Sequence, residues 1–114
     1  MSHIPQIKKA LGVERIHTEY YSWRSKESET PAQIDLVIER ADHINNICEI
    51  KYSKADYSIS AEEERRLRNR INDFEEETKS RNATHLTLIT TFGLKANSHS
   101  SEINNVVLMD DLFT

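Results

Sequence analysis

Residues 33–53 constrain this chain more than any other stretch, because they read as two alternating segments joined by a short polar turn. In the first, Ile34, Leu36 and Ile38 point one way and Asp35, Val37 and Glu39 the other, by the two-residue period of a strand. Residues 41–45 supply the turn, and residues 46–53 return as the expected hairpin partner. There Ile47, Glu49 and Lys51 share one face, and Cys48, Ile50 and Tyr52 share the opposite one.

The segment that follows has the period of a helix, over residues 61–80. Ser60 is its expected N-cap, with Glu63 completing a capping box three residues later. Glu62, Glu63 and Glu64 load the first turn, while Lys79 and Arg81 stand at the far end, as the helix dipole prefers. Leu67, Ile71, Phe74 and Thr78 form the expected buried stripe. Residues 85–92 then read as a β-rich strand stopped by Gly93, and residues 106–109 as a short final strand. Asp110 is placed to cap a terminal turn carrying Leu112 and Phe113.

Upstream, Ile4, Ile7, Ala10 and Leu11 have helical spacing, with Ser2 as the expected cap, Pro5 in the first turn and Gly12 at the C-terminus. This helix is short, as if its beginning were truncated. Residues 13–23, with Ile16, Thr18 and Tyr20 in alternation, predict a strand, and residues 24–31 a polar loop. The order α-β-β-β-α-β-β describes a three-strand meander followed by a helical crossover to a parallel strand. That is an α/β fold with a mixed sheet.

A chain of 114 residues has room for a single domain, residues 1–114. At 37% hydrophobic and 30% charged residues, it has the composition of an ordinary soluble globular domain. No apolar run approaches the ~20 residues of a membrane helix, and the first residues lack a signal peptide's apolar core. One cysteine, Cys48, leaves neither a disulfide framework nor a cysteine-based zinc site, so the expected location is the cytoplasm. Fifteen basic against nineteen acidic residues argue against binding to nucleic acid by bulk electrostatics alone.

Charge on the hairpin is where chemistry is expected. Asp35 interrupts an apolar strand, and Glu49 and Lys51 lie on its neighbour; 13 residues separate the two carboxylates, enough to finish one strand and return beside it. On the same face they would share one cation, because burying two carboxylates together is costly without one. Hard oxygen ligands suit Mg²⁺ or Mn²⁺. Lys51 would project to the same side, placed to hold or deprotonate a metal-bound water. A solvated face with cross-strand charge pairs is the plainer alternative.

Asp35 followed by Glu49-Ile50-Lys51, the helix from Ala61 and the strand from His85 resembles the PD-(D/E)xK nuclease superfamily. The likeness extends to Pro5-Gln6-Ile7-Lys8-Lys9-Ala10-Leu11-Gly12, Ser22-Trp23, Ala32-Gln33-Ile34-Asp35-Leu36, Leu86-Thr87-Leu88-Ile89-Thr90-Thr91-Phe92-Gly93 and Met109-Asp110-Asp111-Leu112-Phe113. These look like the nuclease-like C-terminal domain of prokaryotic P-loop (AAA-type) ATPases, over nearly the whole chain. The resemblance implies a restriction-endonuclease-like fold and a metal-dependent DNA phosphodiesterase. Its metal ligands would be Asp35, Glu49 and the Ile50 backbone carbonyl, with Lys51 assisting attack of water. The superfamily's further carboxylate, on the first helix, would fall upstream of His3, which implies impaired activity. Gly12 and Gly93 are the only glycines, so no phosphate-binding Gly-x-x-x-x-Gly-Lys loop is present. The alternative is a catalytically inactive nucleic-acid-binding or docking module of an ATPase.

Four arginines line the main helix. Arg65 and Arg68 read as members of a solvated face, with Glu62–Arg66 and Glu64–Arg68 at i,i+4 spacing. Arg66 and Arg70, one turn apart beside the buried stripe, are the candidates to meet DNA phosphates. Trp23, Tyr52 and Tyr57 suit either base stacking or packing. The five histidines have no metal-ligand spacing, and Cys48 is expected to be a buried apolar residue.

Overall fold

The computed structural model describes residues 3–26 and 33–113. Helix α1 (Ile4–Leu11) is followed by strands β1 (Thr18–Arg24), β2 (Gln33–Arg40) and β3 (Ile44–Lys51). Helix α2 (Ala61–Thr78) then leads to β4 (Ala83–Thr90) and β5 (Ile103–Leu108), and a 3-10 helix (Met109–Phe113) ends the chain's described part. The sheet has the order β1-β2-β3-β4-β5. The β1–β2 and β2–β3 pairs are antiparallel, and β3–β4 and β4–β5 are parallel. The fold is therefore α/β with a mixed sheet, in the expected element order.

Gly12 ends α1 in the left-handed conformation, at φ 73°, where its amide reaches back to the helix's last carbonyls. His3 stands at the N-cap position without a side-chain cap, and the expected Ser2 lies outside the described residues. Most of the expected 24–31 loop is likewise outside them. Helix α2 stops two residues earlier than expected because Lys79 turns left-handed at φ 53°, so Lys79 is the C-cap and no basic residue occupies the last turn. Tyr52 and Ser53 fall beyond β3, and Phe92 beyond β4.

The two helices cover opposite faces of the sheet. Ile4 and Ile7 of α1 pack with Leu36, Ile38, Cys48, Ile89 and Val107, and Met109 and Leu112 close the edge of that cluster. Leu67 and Phe74 of α2 pack with Ile34, Val37, Ile47 and Leu86, flanked by Tyr21, Trp23 and Ile71. Here the alternation read for β2 is corrected. Ile34 belongs with Val37 under α2, not with Leu36 and Ile38. Tyr21 pairs with Val37 but Trp23 pairs with Ile34, so two residues of β2, Asp35 and Leu36, oppose Ser22 alone. That β-bulge shifts the strand's phase by one residue at Asp35.

Central β3 is hydrogen-bonded on both sides, so even its polar residues are enclosed. The Asn46 side chain donates to Thr87 at 2.9 Å and accepts from Arg40 at 3.2 Å, while Asn45 donates to Ser80 at 3.0 Å and accepts from Asn82 at 2.9 Å. Both of these asparagine amides are satisfied, as a close-packed interior requires. Cys48 is buried, and burial pushes its thiol up to about 12, which leaves it neutral and apolar in behaviour. Among the described residues no helix is long and apolar enough to cross a membrane.

Candidate functional site

The charged residues of β3 run beneath α2, at the end of the strand from which the chain leaves for the helix. Glu49 is 7% exposed, and Lys51 is half-buried two residues on. Both face the helix, as the alternation required, because each meets a partner on α2. Arg70 donates to the Glu49 carboxylate. Lys51 Nζ lies 2.9 Å from Glu63 Oε2. The two pairs put two carboxylates and two cations into one charge-matched row.

Glu63 is the residue that sequence reasoning misassigned. As the third residue of a capping box it was expected to reach back to the N-cap. Only half of that box forms: the Glu63 amide donates to Ser60 Oγ at 3.1 Å. Its carboxylate instead takes the Lys51 ion pair and a hydrogen bond donated by the Tyr57 hydroxyl. Position 63 lies four residues before Leu67, so it heads the buried stripe of α2, and Glu63 is only 6% exposed. A charged residue on that stripe was the available signal. The stripe is thus Glu63, Leu67 and Phe74, with Ile71 at its margin; Thr78 is exposed and its hydroxyl donates to the Phe74 carbonyl at 2.7 Å.

Tyr57 is held in place from both sides of its own peptide. Its amide donates to the Gly93 carbonyl at 2.7 Å, and the Lys95 amide donates to the Tyr57 carbonyl at 2.8 Å. Its ring lies 5.8 Å from Lys51 Nζ. Burial, followed by the hydrogen bond to Glu63 and that residue's charge, pushes the Tyr57 hydroxyl up to about 12. For Glu63, burial raises the carboxyl, but the hydrogen bonds from Tyr57 and Lys51 and the charges of Lys51 and Arg66 outweigh it and hold the group below its ordinary value.

These shifts set two pH windows with opposite signs. A lowered carboxyl contributes stability above its unfolded value of 4.5 and loses it as pH falls through the lower folded value. A raised phenol contributes stability below 10.0 and loses it as pH rises toward about 12. Urea midpoints measured across pH are therefore expected to fall at both ends. Glu63→Gln is expected to flatten the acid limb. Tyr57→Phe is expected to flatten the alkaline one and to remove the phenolate absorbance step near 12.

Asp35 is placed differently. It is exposed, it sits in the bulge of β2, and its carboxylate accepts from Gln33 Nε2 at 3.4 Å. The β2–β3 pairing runs from Arg40–Ile44 to Leu36–Cys48, which stops one step before Asp35 would face Glu49. Both residues thus lie where the two strands cease to pair, but each carboxylate has its own partner. Among the described residues no three Asp, Glu, His or Cys side chains gather as a metal site. With Glu49 neutralised by Arg70 and Asp35 turned to Gln33, these residues as placed do not fit a divalent ion.

The other candidates divide similarly. Arg70 is tied to Glu49, whereas Arg66 is exposed and close enough for its charge to act on both Tyr57 and Glu63. Arg68 pairs with Glu64 at 3.9 Å and Glu102 at 3.1 Å, and Arg65 is exposed. Trp23 packs edge-on against Phe74, with ring centroids 5.3 Å apart, which makes it a half-buried packing residue at the margin of that core. Tyr52 is 80% exposed.

This architecture defines an α/β domain whose mixed sheet carries a buried Glu49 and a half-buried Lys51 on its central strand. No family model matches the chain, and no curated protein matches it. It is similar in structure to a crystal structure of a protein of unknown function, AF1548, with a TM-score of 0.59 and 16% sequence identity. The match covers 93% of this chain and 54% of that one, so the chain spans about half the length of its structural neighbour. The likeness shows a shared fold.

Proposed function

We propose that the chain is a nuclease-like domain of the PD-(D/E)xK kind, directed at DNA in the cytoplasm, with Asp35, Glu49 and Lys51 as its site. One observation carries this reading: a buried Glu49 and a half-buried Lys51 lie on the same face of a central strand, next to the end of the strand that carries Asp35. Charged residues in the middle of a sheet incur desolvation, and two of them kept side by side, each with a dedicated partner, suit a site better than a solvated face. Arg66, exposed beside this row, is the side chain offered to a phosphate. Mg²⁺ or Mn²⁺ would be the cofactor of such a nuclease, and Arg70 would have to leave Glu49 before either could bind there.

That ion pair favours a second reading, in which the same fold binds DNA or docks on a P-loop ATPase without cleaving. The two readings separate in one experiment. Labelled duplex is incubated with the chain and Mn²⁺, and binding is followed in parallel by fluorescence anisotropy. The expected result is weak cleavage, carried by the fraction of DNA-bound chains in which Arg70 has left Glu49; Lys51→Ala is expected to abolish it while binding persists. Binding without cleavage in the parent chain would select the second reading. Cleavage unaffected by Lys51→Ala would place the chemistry elsewhere.

A further inference from the structure

We infer that Arg70 is an internal counter-ion that occupies the cation position at Glu49 and keeps divalent metal out of the resting chain. The inference takes from the reading above only that Glu49 is the carboxylate a metal would seek. It rests on four observations.

Glu49 is 7% exposed, and a carboxylate so enclosed requires a cation beside it. Arg70 supplies that cation, and packing delivers it: position 70 lies between Leu67 and Phe74, both buried against the sheet. Lys51 cannot substitute, because Glu63 holds it at 2.9 Å. The row is closed, with every charge matched. A divalent ion arriving at Glu49 would meet a guanidinium of like charge already bound, and it would have to displace that group. Asp35, the other carboxylate expected to repay the exchange, is exposed and accepts from Gln33.

The test is a thermal-unfolding titration with Mn²⁺ alone, on the full chain. A ligand that binds only the native state raises the melting temperature by mass action. The parent chain and Arg70→Lys, which keeps the positive charge, are expected to show no increment that Glu49→Gln removes. Arg70→Gln and Arg70→Met, two different neutral replacements, are expected to show a rise in melting temperature with Mn²⁺ that the parent lacks, since each leaves a buried carboxylate without its partner. Adding Glu49→Gln to either variant is expected to abolish the gain.

Two results would overturn the inference. One is a parent chain that binds Mn²⁺ at Glu49 with Arg70 in place. The other is a cooperatively folded Arg70→Gln or Arg70→Met variant with no gain. The readout is metal binding and not cleavage, so failure here is distinct from failure of the nuclease reading. Mn²⁺ bound at Glu49 in the parent chain would leave that reading intact, and absent DNA binding would sink it while leaving Arg70's role standing.

Discussion

Phe74→Ala is expected to remove about 3–5 kcal/mol of folding free energy, the range for truncating a buried aromatic side chain. Phe74 is fully buried, at the centre of the cluster formed with Ile34, Val37, Ile47, Leu67 and Leu86. Its ring also supports Trp23 edge-on at 5.3 Å, so truncation removes both the transfer contribution and the aromatic contact, and leaves a cavity beneath α2. Domains of this size are stable by only ~5–15 kcal/mol, so the variant should sit near its unfolding transition under mild conditions. Phe74→Leu, which keeps much of the volume, should lose clearly less. Urea unfolding measures both variants. The protein's single tryptophan lies against the altered ring, so far-UV circular dichroism must be followed alongside fluorescence, and coincident transitions would license the two-state comparison. A loss below about 1 kcal/mol for the alanine variant would mean that the α2 face is not a close-packed core.

The second large effect is expected at the Glu49–Arg70 pair. Removing one partner of a buried ion pair leaves the other charged and enclosed, at a cost of about 3–5 kcal/mol. The Arg70 side chain keeps 27% of its exposure, so Glu49→Ala, which strands an arginine able to reach water, should lie below that range. Arg70→Ala strands the carboxylate, whose side chain is only 9% exposed, and should approach it. The double replacement Glu49→Leu with Arg70→Met is expected to recover most of the loss, because no charge is left stranded and apolar groups of similar size fill the space. A double-mutant cycle by urea denaturation gives the coupling directly. Additive single losses would show that the two side chains do not act as a pair, and would also remove the basis for Arg70 as a counter-ion.

Much of the architecture was legible from local rules. The hairpin, the capped helix and the β-rich strand after it each carry a pattern that a short window contains: alternation, Ser60 before an acidic first turn, and Gly12 at a helix end. Element type follows from such patterns because backbone geometry and capping are satisfied within a few residues. Boundaries were less legible. Thr78 rather than Ser80 ends α2, because Lys79 turns left-handed there, and β4 begins at Ala83, where it first pairs with Ile44 of β3. The bulge at Asp35 was invisible, since it is set by the mismatch between two strands and not by either alone.

For the site, the chain's own residues determined that Glu49 and Lys51 share a face and that Cys48 turns away into the apolar side, because β3, unlike β2, keeps an unbroken two-residue period there. Only the tertiary structure decided what those charges meet. Arg70, read as a phosphate contact, turns inward to Glu49, and Glu63, read as a cap, turns inward to Lys51. Both residues lie on α2 at positions that helical spacing places toward the sheet. Whether such a residue caps its own helix, faces solvent or neutralises a strand residue depends on the register between helix and sheet. Leu67 and Phe74 set that register by burying against Ile34, Val37, Ile47 and Leu86. Long-range packing of apolar side chains therefore chose the partners of the charged ones, because an enclosed charge must be matched by whatever the packed core brings within reach.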